Sequence, residues 1–179
     1  LEEDLVTALQ VHGNDGLGDL DGLLTTAGTP RYPPARLPSV LCTAQEVWND
    51  CVRRYPDEVT LITLGPLTNV ALGLKVNPLT VQKFHSVIVM GGAIAVPGNI
   101  VPAAEFNIYV DPHAAHRVFK ASLPLSLVPL DVTTRVGVTR DILATWVAES
   151  QDPLGRVVAD LTSKAFGFAE ELEGHGLFY

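Results

Sequence analysis

The sequence predicts an α/β protein: an open, mostly parallel sheet with flanking helices and a Rossmann-like core. Three observations lead there. Short apolar or β-branched runs at 58–64, 87–90 and 122–130 alternate with stretches whose apolar residues recur at helical spacing. Gly65-Pro66 turns one such run straight into the next helical stretch, as a strand feeding a crossover helix does. Apolar residues make up 47% and charged residues 18% of 179 residues, a balance that supports a sizeable core in a single domain, 1–179.

The elements follow in order. Residues 1–10 form either a short helix or an irregular approach. Residues 11–21, VHGNDGLGDLD, carry Gly13, Gly16 and Gly18, with Gly22 just beyond; these forbid regular structure and allow close backbone approach. The spacing is wrong for a dinucleotide fingerprint. It also fails as an EF-hand loop, because counting from Gly22 puts Leu17 at the first ligand position and Gly28 at the last. Prolines 30, 33, 34 and 38 mark a surface connection. Ser39 then caps a helix over 40–54, whose stripe is Val40, Leu41, Ala44, Val47, Trp48, Cys51 and Val52.

EVTLITL at 58–64 is a strand, followed by a helix over 67–76 that buries Leu67, Val70, Ala71 and Leu74 and stops at Asn77-Pro78. Residues 87–90, VIVM, are long enough for a buried strand and too short for a helix. Gly91-Gly92 end it, a polar loop follows, and Asp111-Pro112 opens a helix to Lys120. Pro124 and Pro129 confine the next strand to a sheet edge or bound its ends. Thr139 caps a helix to Glu149 that buries Ile142, Leu143, Trp146 and Val147. A last helix, 153–173, carries Leu154, Val157, Val158, Leu161, Ala165, Phe168 and Leu172 on one face.

A formal charge of −8 argues against nucleic acid or an anionic membrane as partner. No apolar run approaches the ~20 residues that cross a bilayer, and no signal-peptide pattern is present, so a cytoplasmic location is the expectation. Cys42 and Cys51, roughly 13 Å apart on one helix, lie beyond disulfide reach and read as reduced thiols. His113 and His116 are either an exposed pair or half of a metal site.

The chemistry gathers in the loop after the 87–90 run. Ligands bind at the carboxyl ends of strands in open α/β sheets. Glu105 and Asn107 would point the same way on an extended loop, with Phe106 opposite and Asn99 folding back beside them. One carboxylate and two amides suit a vicinal diol and, with no Lys or Arg near, suit phosphate poorly. A neutral sugar site and a loop pinned by its own Asn and Glu hydrogen bonds remain alternatives. No nucleophilic triad is visible. His12, before the glycine-rich loop, is either structural or functional.

Three runs carry a resemblance: VHGNDGLGD at 11–19, LITLGPLTNVA at 61–71, and VMGG…GNIVPAAEFNIYVDPHAA at 89–115. In order and spacing the chain resembles the inosine-uridine preferring nucleoside hydrolases, calcium-dependent enzymes that hydrolyse the N-glycosidic bond of ribonucleosides. The resemblance implies that Asn99, Glu105 and Asn107 hold the ribose hydroxyls, that Phe106 walls the sugar and that Met90 lies beside it. It implies that Leu64 gives calcium its backbone carbonyl and that His12 sits by the leaving base as binder or proton donor. It also implies nucleoside salvage and a homodimer or homotetramer. The family's aspartate cluster, D-x-D-x-G-x-D-D, and its late His-Asp pair do not occur here. The expectation is therefore the middle portion of a nucleoside hydrolase, incomplete at both termini. Its calcium carboxylates are absent from the chain; were these 179 residues the whole polypeptide, the shortened sheet would expose an apolar strand edge. The alternative is a catalytically inactive module that keeps the ribose loop and acts by binding.

Overall fold

The computed structural model describes residues 6–34, 42–150, 152–173, 177 and 178. In chain order these form α1 (Leu9–His12), a 3-10 turn (Leu20–Gly22), α2 (Ala44–Arg54), β1 (Thr60–Thr63), α3 (Thr68–Val76), α4 (Pro78–Val81), β2 (Ser86–Met90), α5 (Phe106–Val110), α6 (Pro112–Lys120), β3 (Leu125–Val128), α7 (Leu130–Thr133), β4 (Val138–Thr139), α8 (Arg140–Glu149), α9 (Leu154–Glu173) and β5 (Leu177–Phe178). They pack as two compact units, one drawn from residues 1–6 and 39–134, the other from 7–38 and 135–179.

The first unit is a parallel sheet in the order β1-β2-β3 with helices packed on it. Its register aligns Ile62 with Ile88 and Val87 with Leu125. Alternation along β2 turns Val87 and Val89 inward, both fully buried, where they join Val70, Ala71, Ala115 and Val118 of α3 and α6. Trp48 of α2 meets Phe84 edge to face at 6.0 Å. The opposite face is less covered: Ile88 is half-buried and Ile62 is 59% exposed. Among the described residues β1 lies at one edge of this sheet. Pro124 and Pro129 flank β3 at the other edge, where their missing N–H groups cost the ladder nothing.

Several boundaries differ from expectation. The cap proposed at Ser39, with Val40 and Leu41, lies outside the described residues. Within them α2 begins at Ala44 behind Thr43, whose hydroxyl accepts from the Glu46 amide at 3.2 Å while the Glu46 carboxylate accepts from the Thr43 amide at 2.6 Å. That reciprocal box satisfies two otherwise orphaned donors, which Ser39 has no equivalent residue to do. Asn77-Pro78 does end α3 at Val76 as expected, and Pro78 then opens a further short helix, α4, since proline suits a first helical turn.

In the second unit α1 and α8 pack on α9, and β4 pairs antiparallel with β5, a pairing the sequence did not reveal. Thr139 caps α8 as expected, accepting from the Ile142 amide at 3.2 Å. The face expected to be buried is not: Trp146 is 55% and Ile142 39% exposed. On α9 Ala165 is buried as expected, and beside it, outside the expected stripe, so is Phe166. The Arg140 guanidinium sits 5.1 Å from its ring centroid. The Gly18 backbone approaches α9 so closely that a Cβ there would lie 2.3 Å from the Leu161 carbonyl oxygen.

Carboxylates tie segments of this unit together. Asp160 accepts from Arg31 and from the Tyr32 hydroxyl, each at 2.8 Å. Burial pushes its carboxyl up, but those two bonds hold it below its ordinary value of 3.8. The bond to Arg140 does the same for Glu170. A carboxyl depressed in the folded state contributes stability that is complete above its unfolded pKa and is lost as pH falls through the folded one. Urea midpoints are therefore expected to be flat above about pH 5 and to fall progressively below about pH 4. Asp160→Asn should flatten that decline; an unchanged acid slope would show that the Arg31–Asp160 pair does not set it.

Candidate functional site

Parallel strands in register finish together: Thr63 aligns with Val89 and Met90 with Val128. Leu64, Gly91 and Pro129 therefore leave the sheet at its carboxyl edge, where open sheets of this kind place ligands. Leu64 is 77% exposed there.

The segment after β2 folds back onto that edge. Residues 105–110 are not an extended loop, as the sequence reading had them. Glu105 is the N-cap of the short helix α5, and its carboxylate accepts from the amides of Asn107 at 2.9 Å, Ile108 at 3.2 Å and Gly92 at 2.9 Å. A carboxylate two and three residues ahead of free amides closes a helical turn more readily than it leaves the chain extended. Asn99 joins the same turn from across the loop, its Oδ1 accepting from the Phe106 amide at 2.8 Å. Asn107 reaches inward, its Nδ2 donating to the Met90 carbonyl at 3.3 Å and lying 3.2 Å from the Met90 sulfur.

Met90, Asn99, Glu105, Phe106 and Asn107 thus form one connected cluster on the first turn of α5. Glu105 is 2% and Asn107 9% exposed, while Asn99 is exposed. The loop between them is tight. The Gly98 amide donates to the Pro102 carbonyl at 3.0 Å, and Val101 bridges to Ala104.

Two carboxylates that sequence reasoning did not assign support this cluster. Asp131, at the start of α7, accepts from the amides of Ile94 at 2.9 Å and Ala95 at 2.8 Å, which pins the loop where it leaves β2. Asp111 joins α5 to α6 and accepts from the Thr68 hydroxyl at 2.7 Å. The available signal was positional: each Asp stands at an element boundary, and Asp131 follows a strand directly.

His12 belongs to the second unit. It is the exposed last residue of α1, and its carbonyl accepts from the Gly18 amide at 2.7 Å. The loop after it is held by its own acids. Asp15 accepts from the amides of Leu17 at 2.7 Å, Asp19 at 2.8 Å and Asp21 at 3.1 Å. Asp19 accepts from the Asn14 amide at 2.6 Å and is bonded by Lys164, which holds its carboxyl below the ordinary value.

His113 and His116 share a shallow hollow on α6 with Arg117 and Lys120, two cations that repel a metal ion. Calcium takes six to eight oxygen ligands. Among the described residues no group of three or more His, Cys, Asp or Glu is placed to hold an ion. The Leu64 carbonyl by itself does not make a calcium shell, so these residues do not fit the ion unaided. Among the described residues no helix is long and apolar enough to cross a membrane.

The cluster gathers one carboxylate and two carboxamides, groups able to hydrogen-bond hydroxyls. A carboxylate has about four lone-pair sites; Glu105 directs three of its bonds at backbone amides and keeps acceptor capacity for a hydroxyl. The two carboxamides supply both donors and acceptors.

Comparison with known proteins adds the following. The family model described as inosine-uridine preferring nucleoside hydrolase matches residues 1–178. The pyrimidine-specific ribonucleoside hydrolase RihA of Citrobacter koseri is 38% identical over 161 residues, which are 90% of this chain and 48% of that protein. RihA of Salmonella newport is 37% identical over 171 residues, 96% of this chain and 51% of that one. Among solved structures, a plant nucleoside hydrolase, PpNRh1, superposes with a TM-score of 0.82 at 30% identity, covering 97% of this chain and 51% of its own. The purine-preferring ribonucleoside hydrolase from Gardnerella vaginalis gives 0.81 at 26% identity, covering 95% and 51%. The chain spans about half the length of the relatives it matches.

Proposed function

This chain belongs to the inosine-uridine preferring nucleoside hydrolase family, and from that premise we propose that it supplies the ribose-holding part of an enzyme that hydrolyses the N-glycosidic bond of ribonucleosides to free base and ribose. One observation carries the reading. A buried carboxylate, two carboxamides and a thioether meet on one helical turn at the carboxyl edge of a parallel sheet.

Breaking an N-ribosidic bond builds positive charge on the sugar ring. Glu105, with Asn99 and Asn107, takes the ribose hydroxyls. Hydrogen bonds to those hydroxyls strengthen as the ring charge grows, and only such differential binding accelerates the step. The fixed amides behind Glu105 orient its carboxylate before substrate arrives, so little reorganisation is needed during reaction. Phe106 walls the sugar and Met90 packs its soft sulfur beside it. His12 serves the leaving base. The family's calcium would meet the Leu64 carbonyl from this chain. Because the described residues do not complete its shell, no step is derived through it. A cytoplasmic homodimer or homotetramer working in nucleoside salvage completes the reading.

The test is ribose release from uridine and inosine by the full-length polypeptide that contains this chain, followed by a reducing-sugar assay. Release that depends on Glu105 supports the reading. Tight nucleoside binding with no ribose released would replace it with the binding-module alternative.

A further inference from the structure

We infer that Asp111, through its hydrogen bond from Thr68, is a positioning residue that holds the Glu105–Asn107 turn in place against the segment carrying Leu64; the inference rests on the function proposed above. The helix α5 has five residues, Phe106–Val110, far too few to be stable alone. Its orientation is therefore set by what grips its two ends. Glu105 grips the first end through the Gly92, Asn107 and Ile108 amides. Asp111 terminates the second, as C-cap of α5 and N-cap of α6.

Asp111 is 4% exposed. One carboxylate oxygen accepts from the Ala114 amide at 2.9 Å, which starts α6. The other accepts from the Thr68 hydroxyl at 2.7 Å. Burial pushes this carboxyl up, and the Thr68 hydroxyl, the Ala114 amide and nearby His113 hold it below its ordinary value, so it stays a charged acceptor. Thr68 is the first residue of α3 and follows Leu64 by way of Gly65, Pro66 and the buried Leu67. Asn107 precedes Asp111, and Leu64 precedes Thr68, by the same short interval. The β1–β2 ladder ties the two segments on the sheet side. The Thr68–Asp111 bond ties them on the helix side. A bond to a charged, buried acceptor is worth more than a neutral one, so this second tie resists rotation of α5 about the first.

Thr68→Val removes the hydroxyl, keeps the β-branched shape and leaves the Asp111–Ala114 cap in place. Thr68→Ser keeps the hydroxyl. Thr139→Ala removes a helix cap in the other unit and is the control for general destabilisation. In the full-length polypeptide, uridine and inosine binding is measured by calorimetry, and exchange of the Ile108 and Tyr109 amides by NMR.

The expected result is a loss of nucleoside affinity of about tenfold in Thr68→Val, with faster exchange at both amides. Thr68→Ser should bind within about threefold of wild type and Thr139→Ala should bind unchanged. Thr68→Val with wild-type affinity, or Thr139→Ala with an equal loss, overturns the inference alone. A wild type that binds neither nucleoside overturns the functional reading, and the inference with it.

Discussion

Replacing Glu105 with alanine is expected to cost about 3 kcal/mol of stability together with about a 10³-fold loss of ribonucleoside turnover. The sequence alone leaves this residue as either a sugar ligand or a pin of its own loop. The proposed function gives it one duty, and its three bonds from backbone amides give it a second. Its carboxylate is nearly fully buried and ends three backbone amides, two of them the opening N–H groups of α5. Truncation strands those donors where little water reaches them.

Glu105→Gln separates the duties. The side-chain oxygen can still serve the Gly92 and Ile108 amides, while the new NH2 group opposes the Asn107 amide. A stability loss of about 1–2 kcal/mol should accompany a turnover loss of about 10²-fold, because the charge that answers the developing ring cation has gone. Urea unfolding and ribose release on the same preparations give both numbers. Turnover in Glu105→Gln within about threefold of wild type would remove Glu105 from the reacting site.

Gly98→Ala is the second large effect. A Cβ at this position would lie 2.0 Å from the Ala104 carbonyl oxygen and 2.3 Å from that of Val101. Both are backbone atoms of the same tight loop, so no flexible side chain can yield. The loop must open, and Asn99, the next residue, loses the geometry that lets it accept from the Phe106 amide. Because the loop is exposed at residues 99–103, the expected cost falls more on the site than on the fold. Stability should drop by about 1–2 kcal/mol, and nucleoside affinity by about 30-fold or more. Calorimetry and exchange of the Phe106 amide read the two. Wild-type affinity in Gly98→Ala would mean that Asn99 does not touch the ligand.

Much of the first unit was legible because its signals are local. Val87 to Met90 is too short for a helix and too apolar for a loop. Gly65-Pro66 marks the turn between β1 and α3, and Asp111-Pro112 carries both the cap and the first-turn proline of α6. The concentration of hydrogen-bonding side chains after β2 was equally plain, because Asn99, Glu105 and Asn107 fall within one short segment. The second unit was harder. On α9 Ala165 is buried as the stripe predicts but Phe166 is buried too while Phe168 is only partly so, and α8 keeps Trp146 exposed, since apolar spacing says which residues share a face and not how fully that face is covered.

By itself, then, the sequence determined the α/β class, the three parallel strands with the main helices between them, and the family to which the chain belongs. Periodicity, capping residues and motif spacing are all properties of neighbours along the chain. The tertiary structure alone decided that Glu105 closes a helical turn, that Asp131 pins the loop's start and that Asp111 bonds Thr68. Each of those is a pairing between a carboxylate and a donor on another segment. Such pairings depend on which backbone amides and hydroxyls the packed sheet brings within about 3 Å, and no spacing along one strand of sequence contains that information.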